Sequence, residues 1–135
     1  MSIGILNAPD RLCGSVGDTL GLTAIIEKLY EEKKEKIVIC TPNHLSQLFY
    51  NNPYVKNVID NSHPSISISP CGYVACNIIH NYAKQINIEL SKDTKPKIYL
   101  TDDEIEYGKN ILKEFDGFKK IAISTETGGN SKNLK

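Results

Sequence analysis

The residues best placed to do chemistry lie in "GSVGDTLG", residues 14–21, where Asp18 stands among Gly14, Gly17 and Gly21 shortly after the first apolar run. A carboxylate at a helix start is favoured by the helix dipole. Glycines beside it permit positive φ and let a ligand approach the backbone closely. Two roles suit Asp18. Asp is among the best N-cap residues, so it can cap the helix that follows; counted from that cap, the N3 position is Gly21 rather than Glu or Gln, so no capping box forms. Alternatively, a carboxylate at the carboxyl edge of a strand can take the proton of a bound hydroxyl within hydrogen-bond reach. The glycine spacing is neither G-x-G-x-x-G nor G-x-x-x-x-G-K-[ST], which excludes the standard dinucleotide and P-loop readings. Arg11, the chain's one arginine, precedes the same loop.

Secondary elements must carry this loop. "SIGILN" (2–7) and "KIVICT" (36–41) are short β-branched runs. Between them Leu22, Ile25, Ile26, Leu29 and Tyr30 recur at helical spacing and "EEKKEK" closes a solvated end, which is the pattern of a βαβ unit. Pro42, Leu45, Leu48 and Phe49 mark a short second helix, and "YVKNVID" (54–60) a third strand. "NSHPSISISP" (61–70) reads as a polar segment punctuated by prolines. Ala75, Ile79, Tyr82 and Ile86 define a longer helix, "PKIYL" (96–100) a fourth strand, and "KKIAIST" (119–125) a fifth. Thr101 followed by Asp102, Asp103 and Glu104 is a capping box, with Ile105, Ile111, Leu112 and Phe115 on the apolar face behind it. Strands alternating with helices predict an α/β, mainly parallel sheet with helices on both faces.

The chain has 135 residues, enough for one ordinary domain. Sixteen Lys+Arg balance sixteen Asp+Glu, so no broad field draws it to nucleic acid. There is no basic leader and no apolar run of the roughly 20 residues that span a bilayer, which predicts a cytoplasmic protein. Cys13, Cys40, Cys71 and Cys76 lack zinc-site spacing and read as reduced thiols, mostly in the core. His44, His63 and His80 have no recognisable partner, so no metal is expected, and "TDDE" is capping chemistry rather than a paired-carboxylate site.

"GSVGDTLGLTAIIEKLYEE" followed by "IVICTPNHLSQLFYNNPYVKNVID" resembles the opening of the heptosyltransferase family, glycosyltransferase family 9, with its G-D-x-L helix start and N-P-x-V element. "HNYAKQINIEL", "KPKIYLTDDEIEYGKNIL" and "KKIAISTETGGNSKNLK" continue in the family's order, although "KNLK" lacks the family's Trp-Pro and the stretch from Asp60 to Cys71 is shorter than usual. The resemblance implies the Rossmann-like acceptor domain of a two-domain, GT-B, inverting glycosyltransferase. Residues 1–118 would form that domain, and residues 119–135 the truncated start of a linker or donor domain. It implies Asp18 as the general base, Gly14, Gly17 and Arg11 on the acceptor-side loop, and Lys132 with Thr125 and Thr127 at the donor's phosphates. No cofactor is implied. The implied partners are a nucleotide-sugar donor and a glycan or lipid-linked acceptor, the latter bringing peripheral membrane association. The competing expectation is a non-catalytic Rossmann-like domain that binds a nucleotide or a protein partner.

Overall fold

The computed structural model describes residues 1–8, 11–61, 63–70 and 77–119. The chain divides into two compact units at Leu100/Thr101. In the first, β1 (Ser2–Ala8), β3 (Ile37–Cys40), β4 (Val55–Ile59) and β5 (Ile66–Ile68) form a parallel sheet in the spatial order β4-β3-β1-β5. The two-residue β2 (Arg11–Leu12) turns back antiparallel on the end of β1. Helix α1 (Val16–Lys33) links β1 to β3, a 3-10 helix (Asn43–Phe49) links β3 to β4, and α2 (Ile78–Gln85) follows β5.

Register explains the core. Ile3 pairs with Ile39 and Ile66, and Ile5 with Ile68, so the isoleucines of three adjacent strands share one face. Ile3, Ile5, Ile37, Ile39 and Ile68 are buried there with Leu22, Ile25, Ile26 and Leu29 of α1, Phe49 of the 3-10 helix, and Ile79, Tyr82 and Ala83 of α2. The stripe expected on α1 is thus the buried one, with Tyr30 at its margin against the ring of Tyr54, 5.1 Å between centroids. Helix α1 ends at Lys34, which adopts φ 57° and returns its N–H to the Tyr30 carbonyl at 2.8 Å.

Three expectations are corrected. First, the strand on the free side of β1 is Ile66–Ile68, inside the stretch read as a polar loop. Its Ile-Ser-Ile alternation is real but only three residues long, and neighbouring prolines and serines hide it. Second, 96–100 is not a strand. It is held by side chains: the Lys97 N–H donates to Thr23 Oγ1 at 3.0 Å, the Lys97 ammonium pairs with Glu27, and Tyr99 meets Tyr54 edge-on at 6.4 Å. Third, the described helices of this unit join one core on the isoleucine face, not both faces. On the opposite face the six-residue link from β4 to β5 lays Pro64 against Gly4, and Ser65 exchanges hydrogen bonds with Ser2 at 2.8 Å. Six extended residues and their flanking bonds reach roughly 20 Å or more, against about 14 Å for three inter-strand spacings. A helical crossover is therefore unnecessary. The fifth strand expected at 119–125 and the contribution of Ala75 lie outside the described residues, apart from Lys119, which is not in a strand.

The second unit, described by itself, contains α3 (Asp102–Lys113). Its capping box forms as expected: Glu104 N–H donates to Thr101 Oγ1 at 3.2 Å and Thr101 N–H to Glu104 Oε2 at 2.7 Å. No residue of α3 is buried.

Two outcomes follow from this packing. A Cβ at Gly4 would stand 2.7 Å from the Cys40 carbonyl oxygen, a backbone atom in a paired strand. Gly4→Ala is therefore expected to destabilise by about 1–3 kcal/mol, as overpacking does, read as a lower denaturant midpoint with an unchanged slope; an unchanged midpoint would contradict the close approach. The Glu27 carboxyl is held below its ordinary 4.5 by hydrogen bonds from Lys97 and then Tyr54. A depressed carboxyl contributes above its unfolded value and loses that contribution as pH falls through the folded one. Amide-exchange protection at Lys97 is thus expected to hold above pH 4.5 and fall below it, and to be reduced at neutral pH in Glu27→Gln. For so exposed a pair the stability change is at most about 1 kcal/mol.

Candidate functional site

Chain order sets where a site can form. The parallel strands run outward from β1 through β3 to β4, and the chain then returns to place β5 on the other side of β1. This is the 3-2-1-4 order of doubly wound sheets, whose ligands sit at the carboxyl ends of the strands where that order reverses. Here the reversal lies between β1 and β5. β2, the first turn of α1 and the end of β5 border it.

Asp18 is at this edge, but it is not the cap. Ser15 is the N-cap, with φ −81° and ψ 124°, and its side chain accepts the Asp18 N–H at 3.4 Å. Asp18 is therefore the third residue of α1, not its cap. Cys13 Sγ donates to Asp18 Oδ2 at 3.4 Å, and the Tyr82 hydroxyl donates to Asp18 Oδ1 at 3.4 Å. The end of β2, the neighbouring start of α1 and, 64 residues on, the middle of α2 thus converge on one carboxylate. Cys13 is 2% exposed and Tyr82 fully buried, whereas Asp18 is half-buried.

The glycines around Asp18 divide into two kinds. Gly21 is a packing residue: a Cβ there would stand 3.1 Å from Tyr82 Cε2 and 3.7 Å from Ile78 Cγ2. Its missing side chain lets α2 come close enough for the Tyr82 hydroxyl to reach Asp18. Gly14 and Gly17 have no positive φ, contrary to one use expected of them. A Cβ at either would meet nothing nearer than 3.9 Å, with His44 Cε1 the neighbour of Gly14 at 4.0 Å. They leave an open shelf beside the carboxylate, continued by Val16, which is 57% exposed.

Of the other residues singled out in the sequence, Arg11 is exposed on β2 and His80 half-buried on α2, neither brought into the Asp18 cluster by a described contact. Thr125, Thr127 and Lys132 lie outside the described residues, as do Cys71 and Cys76. Cys13 and Cys40 are buried, and burial pushes the Cys40 thiol up. Among the described residues no group of three or more His, Cys, Asp or Glu could hold a metal ion, and no helix is long and apolar enough to cross a membrane. A surface depression of about 500 Å³ between α1 and the 89–97 segment carries charges of both signs, including Glu27, Glu31, Lys28 and Lys97, and lies away from the Asp18 edge.

Sequence reasoning missed Cys13 and Tyr82, each read as a core residue. For Tyr82 a signal existed, since a tyrosine on a buried helical stripe must find a partner for its hydroxyl; the identity of that partner, 64 residues away, was not accessible. The cap assignment has a direct check. Ser15→Ala is expected to lower stability by about 1 kcal/mol, and Ser15→Asn to recover most of it, because Asn caps as well as Ser. Equal denaturant midpoints for Ser15→Ala and the wild type would return the cap to another residue.

No protein-family model matches the chain, and comparison with curated proteins and with solved structures likewise gives no significant match.

Proposed function

We propose that the chain is the acceptor-side, Rossmann-like half of a GT-B glycosyltransferase of the heptosyltransferase kind, acting in the cytoplasm, with Asp18 as its general base. The order of the quoted sequence elements supports the family. The observation that carries the site is the release of Asp18 from capping: Ser15 does that work, and the Asp18 carboxylate stands half-exposed at the β1/β5 reversal beside the open shelf of Gly14 and Gly17. A cap would have its oxygens on its own helix amides; a base needs one facing the ligand.

In this reading the acceptor hydroxyl lies on the glycine shelf and gives its proton to Asp18 as its oxygen attacks the anomeric carbon of a nucleotide sugar. The new C–O bond forms opposite the bond that breaks, so the configuration inverts and a nucleoside diphosphate departs with the electron pair. The resemblance gives Lys132, with Thr125 and Thr127, the role of stabilising that diphosphate, a charge-neutralising task that needs no metal in principle. The acceptor is a glycan or a lipid-linked glycan, and no nucleic acid is involved.

The test is nucleoside diphosphate release by the full-length protein, assayed over a panel of nucleotide sugars with glycan acceptors. Asp18→Asn is expected to melt close to the wild type, because Ser15 keeps the cap, while turnover falls by about 10²-fold or more, since an amide cannot serve as base at neutral pH. Full turnover in the Asn variant would remove the catalytic role. It would leave the alternative, a non-catalytic domain binding a nucleotide or protein partner at the same edge.

A further inference from the structure

We propose that Cys13 and Tyr82 form a two-sided clamp that holds the Asp18 carboxylate in one orientation, making them positioning residues for this site; the inference deepens the reading of Asp18 as the base and rests on it. A half-exposed aspartate at the start of a helix ordinarily turns about χ1 and χ2, and two of its rotamers would lose the direction a proton acceptor needs. Here each carboxylate oxygen has its own donor: Oδ2 takes the Cys13 thiol and Oδ1 the Tyr82 hydroxyl, both at 3.4 Å. With one donor on each oxygen, each oxygen keeps a lone pair for a ligand.

Each contact is weak by itself, since a thiol is a poor donor and 3.4 Å is long for a hydroxyl. The clamp works because its jaws cannot move. Cys13 is buried, and its Sγ accepts the Ser15 N–H at 3.4 Å, which directs the thiol hydrogen away from that amide and toward Asp18. The backbone N–H of Cys13 is held by the Ile5 carbonyl at 2.8 Å, so the thiol is anchored to the central strand. Tyr82 is fully buried, and its ring lies on the bare backbone of Gly21, where a Cβ would be 3.1 Å away. Orientation is thus prepaid in the fold, and aligning a reacting group in advance is one of the larger contributions to rate.

The experiment has two arms. In the 135-residue chain, three-bond couplings from the Asp18 carboxyl carbon to its backbone carbonyl carbon and nitrogen report χ1. A single rotamer is expected in the wild type and in Cys13→Ser, which keeps a donor, and rotamer averaging in the Cys13→Ala/Tyr82→Phe double variant. Thermal melting checks the fold. If the double variant does not fold, Tyr82→Phe, which preserves the ring, carries the measurement. An Asp18 side chain that keeps one rotamer without both donors, or without the tyrosine hydroxyl in that fallback, overturns the clamp.

In the full-length protein, the same double variant, or Tyr82→Phe in its place, is expected to lower kcat about tenfold or more with KM nearly unchanged, the signature of lost alignment rather than lost binding. Unchanged kcat, where Asp18→Asn abolishes turnover, also overturns it. Full turnover in Asp18→Asn instead overturns the base reading, and the rotamer measurement then decides the clamp alone.

Discussion

The isoleucine face of the sheet is the constraint from which the rest of the structure follows. Ile3, Ile5, Ile37, Ile39 and Ile68 project from three adjacent strands to one side, and leaving any one of them in water would cost about 1.5–3 kcal/mol. Helix α1 supplies the matching surface with Leu22, Ile25, Ile26 and Leu29. The opposite side is mixed: Ser2, Gly4 and Ser67 stand there beside Val38, Cys40 and Ile59. Among the described residues it is the link from β4 to β5 that covers it, laying Pro64 against Gly4.

Covering that face also places the chemistry. A helix that returns from the end of one parallel strand to the start of the next must begin at the carboxyl edge, so the first turn of α1 and Asp18 with it are delivered to the edge where open α/β sheets bind ligands. Helix α2 packs beside α1 over the same core, and Gly21 brings the two close enough for a side chain of one to reach the first turn of the other. The polar contacts at Asp18 are thus by-products of an apolar packing problem solved with one small residue.

Sequence reading recovered what is encoded locally. The stripe on α1, strands β1, β3 and β4, and the Thr101–Glu104 box each depend on residues a few positions apart. It failed where the deciding partner is remote. "PKIYL" has strand composition, yet the place beside β1 goes to "ISI", whose isoleucines continue the buried face across the sheet; propensity could not weigh that competition. The cap was misplaced by three residues because Ser15 and Asp18 are both good caps, and only backbone geometry shows which one precedes the helix. Of the candidate site, the position of Asp18 at the strand's carboxyl edge was legible. Its donors were not, since Cys13 and Tyr82 look like any other buried residues in a linear pattern.

The pairing of β1 with β5 has a kinetic side. Residues 1–59 can build β1, α1, β3 and β4 from neighbouring elements, whereas β5 joins the sheet only by closing a loop marked by the Ser2–Ser65 contacts, 63 residues apart. Closure over such a separation costs entropy before it returns contacts, and pairings of this kind slow folding. Until that pairing forms, one edge of β1 is bare and the isoleucines beside it are uncovered. Because Tyr82 follows β5, the Asp18 edge acquires its tyrosine only after that late closure. Maturation of the site would then coincide with the covering of that bare edge.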